Sequence, residues 1–348
     1  MYEDKKVSVI VPIFNCDKYI NATMGDVVMQ IHKNIELILV NDGSTDNSAE
    51  ICKQLAAGDS RVKVINKEKS EGAGPARNSG ISVSEGEYMM FLDSDDRIES
   101  DMVEKLLLAA VNNNCQVAVC GYETYVEDVE NGESDKIYSE QRVYKDGEVN
   151  KFFRENFPEG IVGYLWNKIY DAEVIRRNNL RFPDMRRLQD GVFNVEFFDC
   201  AESCCVIEDI LYHYRLNAQT DMFRKLPVNY YDLIKQFSES FISKYNKSTK
   251  IEAFFLNELG SCIENTFSVQ WNMNKTIRWE YYEKISNDEF FTDICGAICV
   301  IDSKYRRMVI KLLRSKKYGM LSLLVKIKLF AKLRFKKLFY FLKRGNKK

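Results

Sequence analysis

The alternation of short β-rich runs with helical stretches over the first 125 residues most narrows what this chain can fold into. Residues 7–11, 35–40, 62–65, 88–92 and 117–120 read as strands. Between them, residues 19–30, 46–57, 75–84 and 101–112 carry helical spacing, several opening on Ser, Asp or Pro at a capping position. A βαβ series of this kind predicts an α/β fold with a mostly parallel central sheet. Ligands of such sheets bind beyond the carboxyl ends of the strands. Three segments therefore matter: Pro12-Ile-Phe-Asn15, Asn41-Asp-Gly-Ser-Thr-Asp46 and Asp93-Ser-Asp-Asp96.

Two of these three segments are acidic. Asp93, Asp95 and Asp96 follow an apolar strand, where burial makes unpaired negative charge costly. A divalent cation bridging to phosphate oxygens would remove that cost; a helix N-cap role for Asp96 or Ser100 is the alternative. Asp42 lies at the end of a second strand, with Gly43 permitting a tight turn. Gly72-Ala-Gly74-Pro-Ala-Arg77-Asn78 adds a loop entering a helix, with a guanidinium one turn in, suited to an anion. The chain contains only two histidines, His32 and His213. A catalytic metal must therefore be held largely by oxygen, which favours Mn²⁺ or Mg²⁺ over zinc. No P-loop and no strand-linked GxGxxG is present, so neither a P-loop NTPase nor a dinucleotide enzyme fits.

Val7-Ser-Val-Ile-Val-Pro-Ile-Phe-Asn15, Glu36-Leu-Ile-Leu-Val-Asn-Asp-Gly-Ser-Thr-Asp46, Gly74-Pro-Ala-Arg-Asn78 and Gly86-Glu-Tyr-Met-Met-Phe-Leu-Asp-Ser-Asp-Asp96 together resemble the family 2 glycosyltransferases of GT-A fold, the inverting type that builds bacterial surface polysaccharide. The resemblance continues more loosely through Trp166-Asn-Lys168, Leu188-Gln-Asp190-Gly-Val-Phe193 and Leu211-Tyr-His-Tyr-Arg215. It implies that Pro12, Phe14 and Asp42 line a nucleoside pocket and that Arg77 helps fix the nucleotide. By the same resemblance Asp93 approaches the ribose or sugar, Asp95 ligates Mn²⁺ or Mg²⁺ on the diphosphate with Asp96 nearby, and Asp190 is the base. Relatives often carry Glu-Asp where this chain has Gln189-Asp190. His213 is the one histidine placed to contact the diphosphate or metal, against a packed role between Tyr212 and Tyr214. His32 reads as surface, and Lys168 as structural or facing the site.

The expected activity is metal-dependent transfer of a sugar from a nucleotide-sugar donor, a UDP-sugar, to a carbohydrate or lipid-linked acceptor. A nucleotidyltransferase would carry a Gly-rich basic loop after the first strand, which Pro12-Ile-Phe-Asn15 lacks. An inactive scaffold recruited by its tail is opposed by the retained acids. The expected division is a catalytic domain over residues 1–220, split at 125/126 into nucleotide-sugar and acceptor halves, a helical region over 221–318, and a basic tail over 319–348.

The charge is divided along the same lines. Lys304 to Lys348 hold seventeen Lys/Arg and no acid, so the remaining 33 basic and 51 acidic side chains give the body a net −18. A body of that sign repels nucleic acid. Read as a helix over residues 320–344, the tail has an apolar stripe of Leu324, Ile327, Ala331, Phe335, Leu338 and Leu342 among lysines. It lacks a run long enough to span a bilayer, so it is expected to lie on an anionic membrane surface, each cation contributing roughly 1 kcal/mol, or else to dock on the acidic catalytic domain. With no secretory-type start and no CxxC pairing, a cytoplasmic protein peripheral to the inner face of the cell membrane is expected. Cys115, Cys120, Cys262, Cys295 and Cys299, in apolar runs, are expected to pack as small hydrophobes.

Overall fold

A computed structural model of the chain describes residues 2–126, 135–216 and 226–334. The elements, in order, are β1 (Val7–Ile13), α1 (Ile20–Val28), β2 (Ile35–Asn41), α2 (Ser48–Gly58), β3 (Val62–Asn66), α3 (Ala73–Val83), β4 (Tyr88–Phe91), β5 (Arg97–Ile98), α4 (Met102–Asn112), β6 (Val117–Val126), β7 (Asp135–Ile137), β8 (Arg142–Lys145), α5 (Gly147–Asn156), β9 (Lys168–Asp171), α6 (Ala172–Arg177), α7 (Gln189–Cys200) and β10 (Ser203–Leu216). Helices follow: α8 (Tyr230–Tyr245), α9 (Thr249–Asn265), α10 (Lys275–Ser286), α11 (Glu289–Ile294), a 3₁₀ turn (Cys295–Val300), α12 (Lys304–Arg314) and α13 (Tyr318–Arg334). Two compact units result, Met1–Ala218 with Ser243–Tyr245, and Gln219–Ile242 with Asn246–Lys348.

In the first unit the sheet runs β3-β2-β1-β4-β9-β6-β10-β5. The β3-β2-β1-β4 stretch is parallel, as the βαβ series predicts. Beyond it the sheet is mixed. β9 lies antiparallel to both β4 and β6, while β6 and β10 run parallel. β1 and β2 are almost wholly buried, so their continuous Val/Ile/Leu runs reflect a strand covered on both faces. β7 pairs antiparallel with β6. Helix α3 rests directly on β1, because a Cβ on Gly80 would stand 2.4 Å from Ile10 Cγ2. The N-cap residues of α1 to α4 form no side-chain cap bonds; instead Asp46 accepts from Ser48 N at 3.0 Å. His32 is buried, with Nε2 2.9 Å from Lys5 O, not at the surface as its sequence context implies.

The second unit is helical around Phe237, Phe255, Tyr282, Ile294, Leu313 and Val325. Here capping is by side chains: Ser248, Asn274, Asp288 and Ser303 accept from the first turns of α9, α10, α11 and α12. Cys115, Cys120, Cys262 and Cys295 are buried thiols, whereas Cys299 is exposed. Helix α13 buries Leu321, Val325 and Leu329, and Lys328 Nζ bonds Glu264 at 2.8 Å within the same unit. The expected stripe of Leu324, Ile327 and Ala331 is not the packed one, since Ile327 stands exposed beside Met320, Leu323 and Phe330. A helix apolar around most of its circumference leaves the choice of buried face to its neighbours. Phe335, Leu338 and Leu342 lie outside the described residues. No helix among the described residues is long and apolar enough to cross a membrane.

Candidate active site

The parallel strands β1, β2 and β4 bring the three predicted segments to one end of the sheet. The loops after β1 and β2 are tied together. Thr45 N donates to Asn15 Oδ1 at 2.8 Å, Asn15 N to Ser44 Oγ at 3.2 Å, and Asp17 N to Asp46 Oδ2 at 3.1 Å. Asp42 is buried, and its carboxylate accepts from Ser70 Oγ (2.8 Å), Glu71 N (3.1 Å) and Gly72 N (2.8 Å), so it anchors the loop that leads into α3. Gly43 has φ +67°, and a Cβ there would lie 2.7 Å from the Lys69 carbonyl carbon, which explains the glycine in this turn. Pro12 is half-buried and Phe14 is 50% exposed beside this cleft of loops.

The acids after β4 have different surroundings. Asp93 accepts from Arg77 Nη2 at 2.7 Å. Asp96 is buried and fully engaged, accepting from Tyr212 Oη (2.5 Å) and Arg215 N (2.7 Å). Thr23 Oγ1 donates to the carbonyls of Ser94 (3.0 Å) and Asp96 (2.8 Å), and Arg215 Nε to that of Asp95 (2.6 Å), which pins the loop from both sides. The Asp95 carboxylate accepts no hydrogen bond from another described residue; burial, then the neighbouring Asp93, push its carboxyl up to about 6. Asp96 is raised by burial and by Asp93 and Asp95.

Arg77, on α3, is buried, and its Nε and Nη1 have no hydrogen-bond partner among the described residues. Asp190 lies in the first turn of α7, after Leu188 in a left-handed conformation (φ 67°). Its carboxyl is raised by burial, partly offset by Arg77 and reinforced by Asp93. Asp93, Arg77 and Asp190, far apart in sequence, thus share one electrostatic environment. His213 points elsewhere for hydrogen bonding: Nδ1 lies 2.8 Å from Glu123 Oε1 and Nε2 2.9 Å from Glu99 Oε1, so neither ring nitrogen is free for a metal. Lys168 is buried, its Nζ donating to the carbonyls of Ile161 and Tyr164 and to Asn167 Oδ1, a structural role that holds the preceding loop.

Glycosyl transferase family 2 is the family whose sequence profile matches residues 8–177. Glycosyltransferase GlyG of Streptococcus pneumoniae serotype 4 is 32% identical over 244 residues, 67% of this chain and 78% of GlyG. The chain belongs to glycosyltransferase family 2. EpsH of Bacillus subtilis (strain 168), assigned as a glycosyltransferase, is 29% identical over 306 residues, 85% of this chain and 84% of EpsH. The structure of S. aureus TarS 1-349 in complex with UDP-GlcNAc superposes with a TM-score of 0.66 at 17% identity, covering 92% of this chain and 90% of TarS 1-349. At that identity the likeness establishes the GT-A fold. The protein is accordingly a family 2 glycosyltransferase with the GT-A architecture that the strand order and motifs predict.

For a family 2 enzyme the residues suit a hard divalent cation. Asp93 and Asp95 offer carboxylate oxygens, and the raised Asp95 marks an excess of buried negative charge that the protein's own donors leave uncompensated. Among the described residues no three His, Cys, Asp or Glu side chains converge as a complete metal cage, so the remaining ligands would come from substrate and water. Sequence reasoning passed over Thr23, Tyr212 and Arg215, which hold the acidic loop. It also passed over Trp166, which stacks on Tyr212 with ring centres 4.2 Å apart. For Tyr212 and Arg215 the sequence signal is the aromatic, basic run Leu211-Tyr-His-Tyr-Arg215.

Proposed function

We propose that this glycosyltransferase moves a sugar, with inversion, from a UDP-sugar to a hydroxyl of a saccharide or lipid-linked acceptor in surface-polysaccharide synthesis, using Mn²⁺ or Mg²⁺. The observation that carries the proposal is the convergence of Asp93, Arg77 and Asp190 beside Asp95, whose carboxylate accepts no hydrogen bond from another described residue. Solution of TarS with UDP and with UDP-GlcNAc supports the choice of donor class.

In this reading Asp93 and Asp95 would hold the cation, which would supply positive charge against that developing on the leaving diphosphate. Arg77 presents the N–H groups of its unbonded Nε and Nη1 to phosphate or sugar oxygens, which makes its burial tolerable once donor is bound. Pro12 and Phe14 cover the nucleoside, while Asp42 shapes its pocket by holding the loop over residues 70–72. Asp190 accepts the acceptor proton; burial raises its affinity for that proton, as a general base working near neutrality requires. The exposed Met320, Leu323, Ile327 and Phe330 of α13, amid cations, support peripheral attachment of the second unit to an anionic inner membrane face.

The test is incubation with Mn²⁺ and a panel of nucleotide sugars, following nucleoside diphosphate release and donor-induced thermal stabilisation. Stabilisation by one UDP-sugar that disappears in Asp95→Asn is expected. Release of pyrophosphate, or binding of no donor, overturns the reading.

A further inference from the structure

Three cations along one face of α12 have no acidic partner among the described residues. Arg307, Lys311 and Arg314 recur at i, i+4 and i+7, and so lie along one face of the helix. The neighbouring Arg306 and Lys328 both pair with Glu264, at 2.9 and 2.8 Å. Arg307, Lys311 and Arg314 have no acidic side chain within ion-pair distance among the described residues, and the sequence has no acid after residue 303 to supply one. Together with Ser315 they border an open cleft of about 680 Å³, whose other side is Cys295, Gly296, Ile298 and Cys299 of the 3₁₀ turn. The cleft is thus cationic on one side and small and apolar on the other.

We propose that this cleft is an anion site for a phosphoryl group, the chemistry shared by a phospholipid headgroup and free phosphate. Guanidinium and ammonium groups at one-turn spacing can each donate to a different phosphate oxygen, and Arg forks suit that geometry best. The volume is within the range of ligand sites, far larger than a single ion-pair contact needs. The apolar wall of Ile298 and Cys295 would accept the first carbons of an attached lipid. The site lies wholly within the second unit and needs none of Asp93, Asp95 or Asp190, so it stands or falls separately from the donor reading.

Cys299 provides a local reporter, because it lines the cleft and its thiol is exposed while most other cysteines are buried. The rate of its alkylation in the full chain, located by peptide mass spectrometry, is measured with inorganic phosphate, with phosphatidylglycerol vesicles and with chloride at matched ionic strength. At least about threefold protection by either phosphate source, and none by chloride, is expected. Protection by vesicles alone assigns a lipid headgroup; protection by inorganic phosphate assigns a free anion. The double variant Lys311→Gln/Arg314→Gln, both exposed positions, should abolish protection with donor-induced stabilisation unchanged. Gly296→Leu, where an added Cβ meets nothing within 4 Å, should do the same by filling the cleft with the cations intact. Absence of protection by both sources, or protection that survives both variants, overturns the proposal.

Discussion

One sheet carries carboxylates at both ends of its parallel strands, and Glu36 at the amino ends and Asp95 at the carboxyl ends are treated oppositely. At the amino ends, Glu36 accepts from Ser8 Oγ (2.5 Å), Glu85 N (2.6 Å) and Gly86 N (3.0 Å), with Lys63 Nζ at 2.8 Å. Burial pushes this carboxyl up, but those donors outweigh burial and leave it at about 2. At the carboxyl ends, burial and Asp93 raise Asp95 to about 6, opposed more weakly by its own backbone N–H and the charge of Arg215. Burial alone therefore does not separate structure from function. The deciding quantity is how many donors the fold itself supplies: Glu36 has three hydrogen bonds on Oε1 and the Lys63 ion pair on Oε2, while Asp95 has capacity left for something that is not protein.

The largest effect is expected at the incomplete end. Asp95→Asn should lower transfer by about 10³-fold, since a cation site is worth several kcal/mol in the transition state. Turnover within a few-fold of wild type would erase the contrast. Asp190→Asn should keep donor-induced stabilisation and lose at least about 10²-fold in transfer; near-normal rates would move the base elsewhere. At the complete end, Glu36→Gln should leave transfer per folded molecule unchanged while costing about 1–3 kcal/mol, measured by denaturant unfolding. Because Glu36 is depressed when folded, its contribution is full above its ordinary value of 4.5 and fades as pH falls toward about 2. The variant should lose that part of the acid dependence. The smallest effect has the opposite sign. Metal-free, Asp95 binds its proton more tightly folded than unfolded, so its contribution to stability improves as pH falls from about 6 toward 3.8. Asp95→Asn should therefore raise the metal-free melting temperature at pH 7 and abolish stabilisation by Mn²⁺. A lowered metal-free melting temperature would mean that Asp95 is a structural carboxylate like Glu36.

The parts of this picture legible in sequence are those set by local pattern. The expected strand over 35–40 is β2, Ile35–Asn41, and that over 62–65 is β3, Val62–Asn66, because apolar runs between turn residues fix both existence and ends. The strand-end acids were equally visible. Less legible were features that depend on a distant partner. β9 enters antiparallel between β4 and β6, a placement that no local spacing encodes. Tyr212 and Arg215 reach Asp96 across more than a hundred residues of chain, and His213, next to both, turns to Glu99 and Glu123 instead. The packed face of α13 was hidden for another reason: apolar residues surround that helix, so periodicity had no contrast to report.

Gly80 has a consequence beyond packing. With the Ile10 side chain so close, α3 sits nearer to the sheet than any residue with a Cβ at position 80 would allow, and Arg77 is carried one turn before that contact on the same helix. The position of the guanidinium relative to Asp93 is then calibrated by the thickness of a single hydrogen atom. An added methyl would lift the helix and retune the charge spacing at the strand ends without touching any group there. Drift in donor preference among related enzymes could thus begin at a residue that no substrate ever meets.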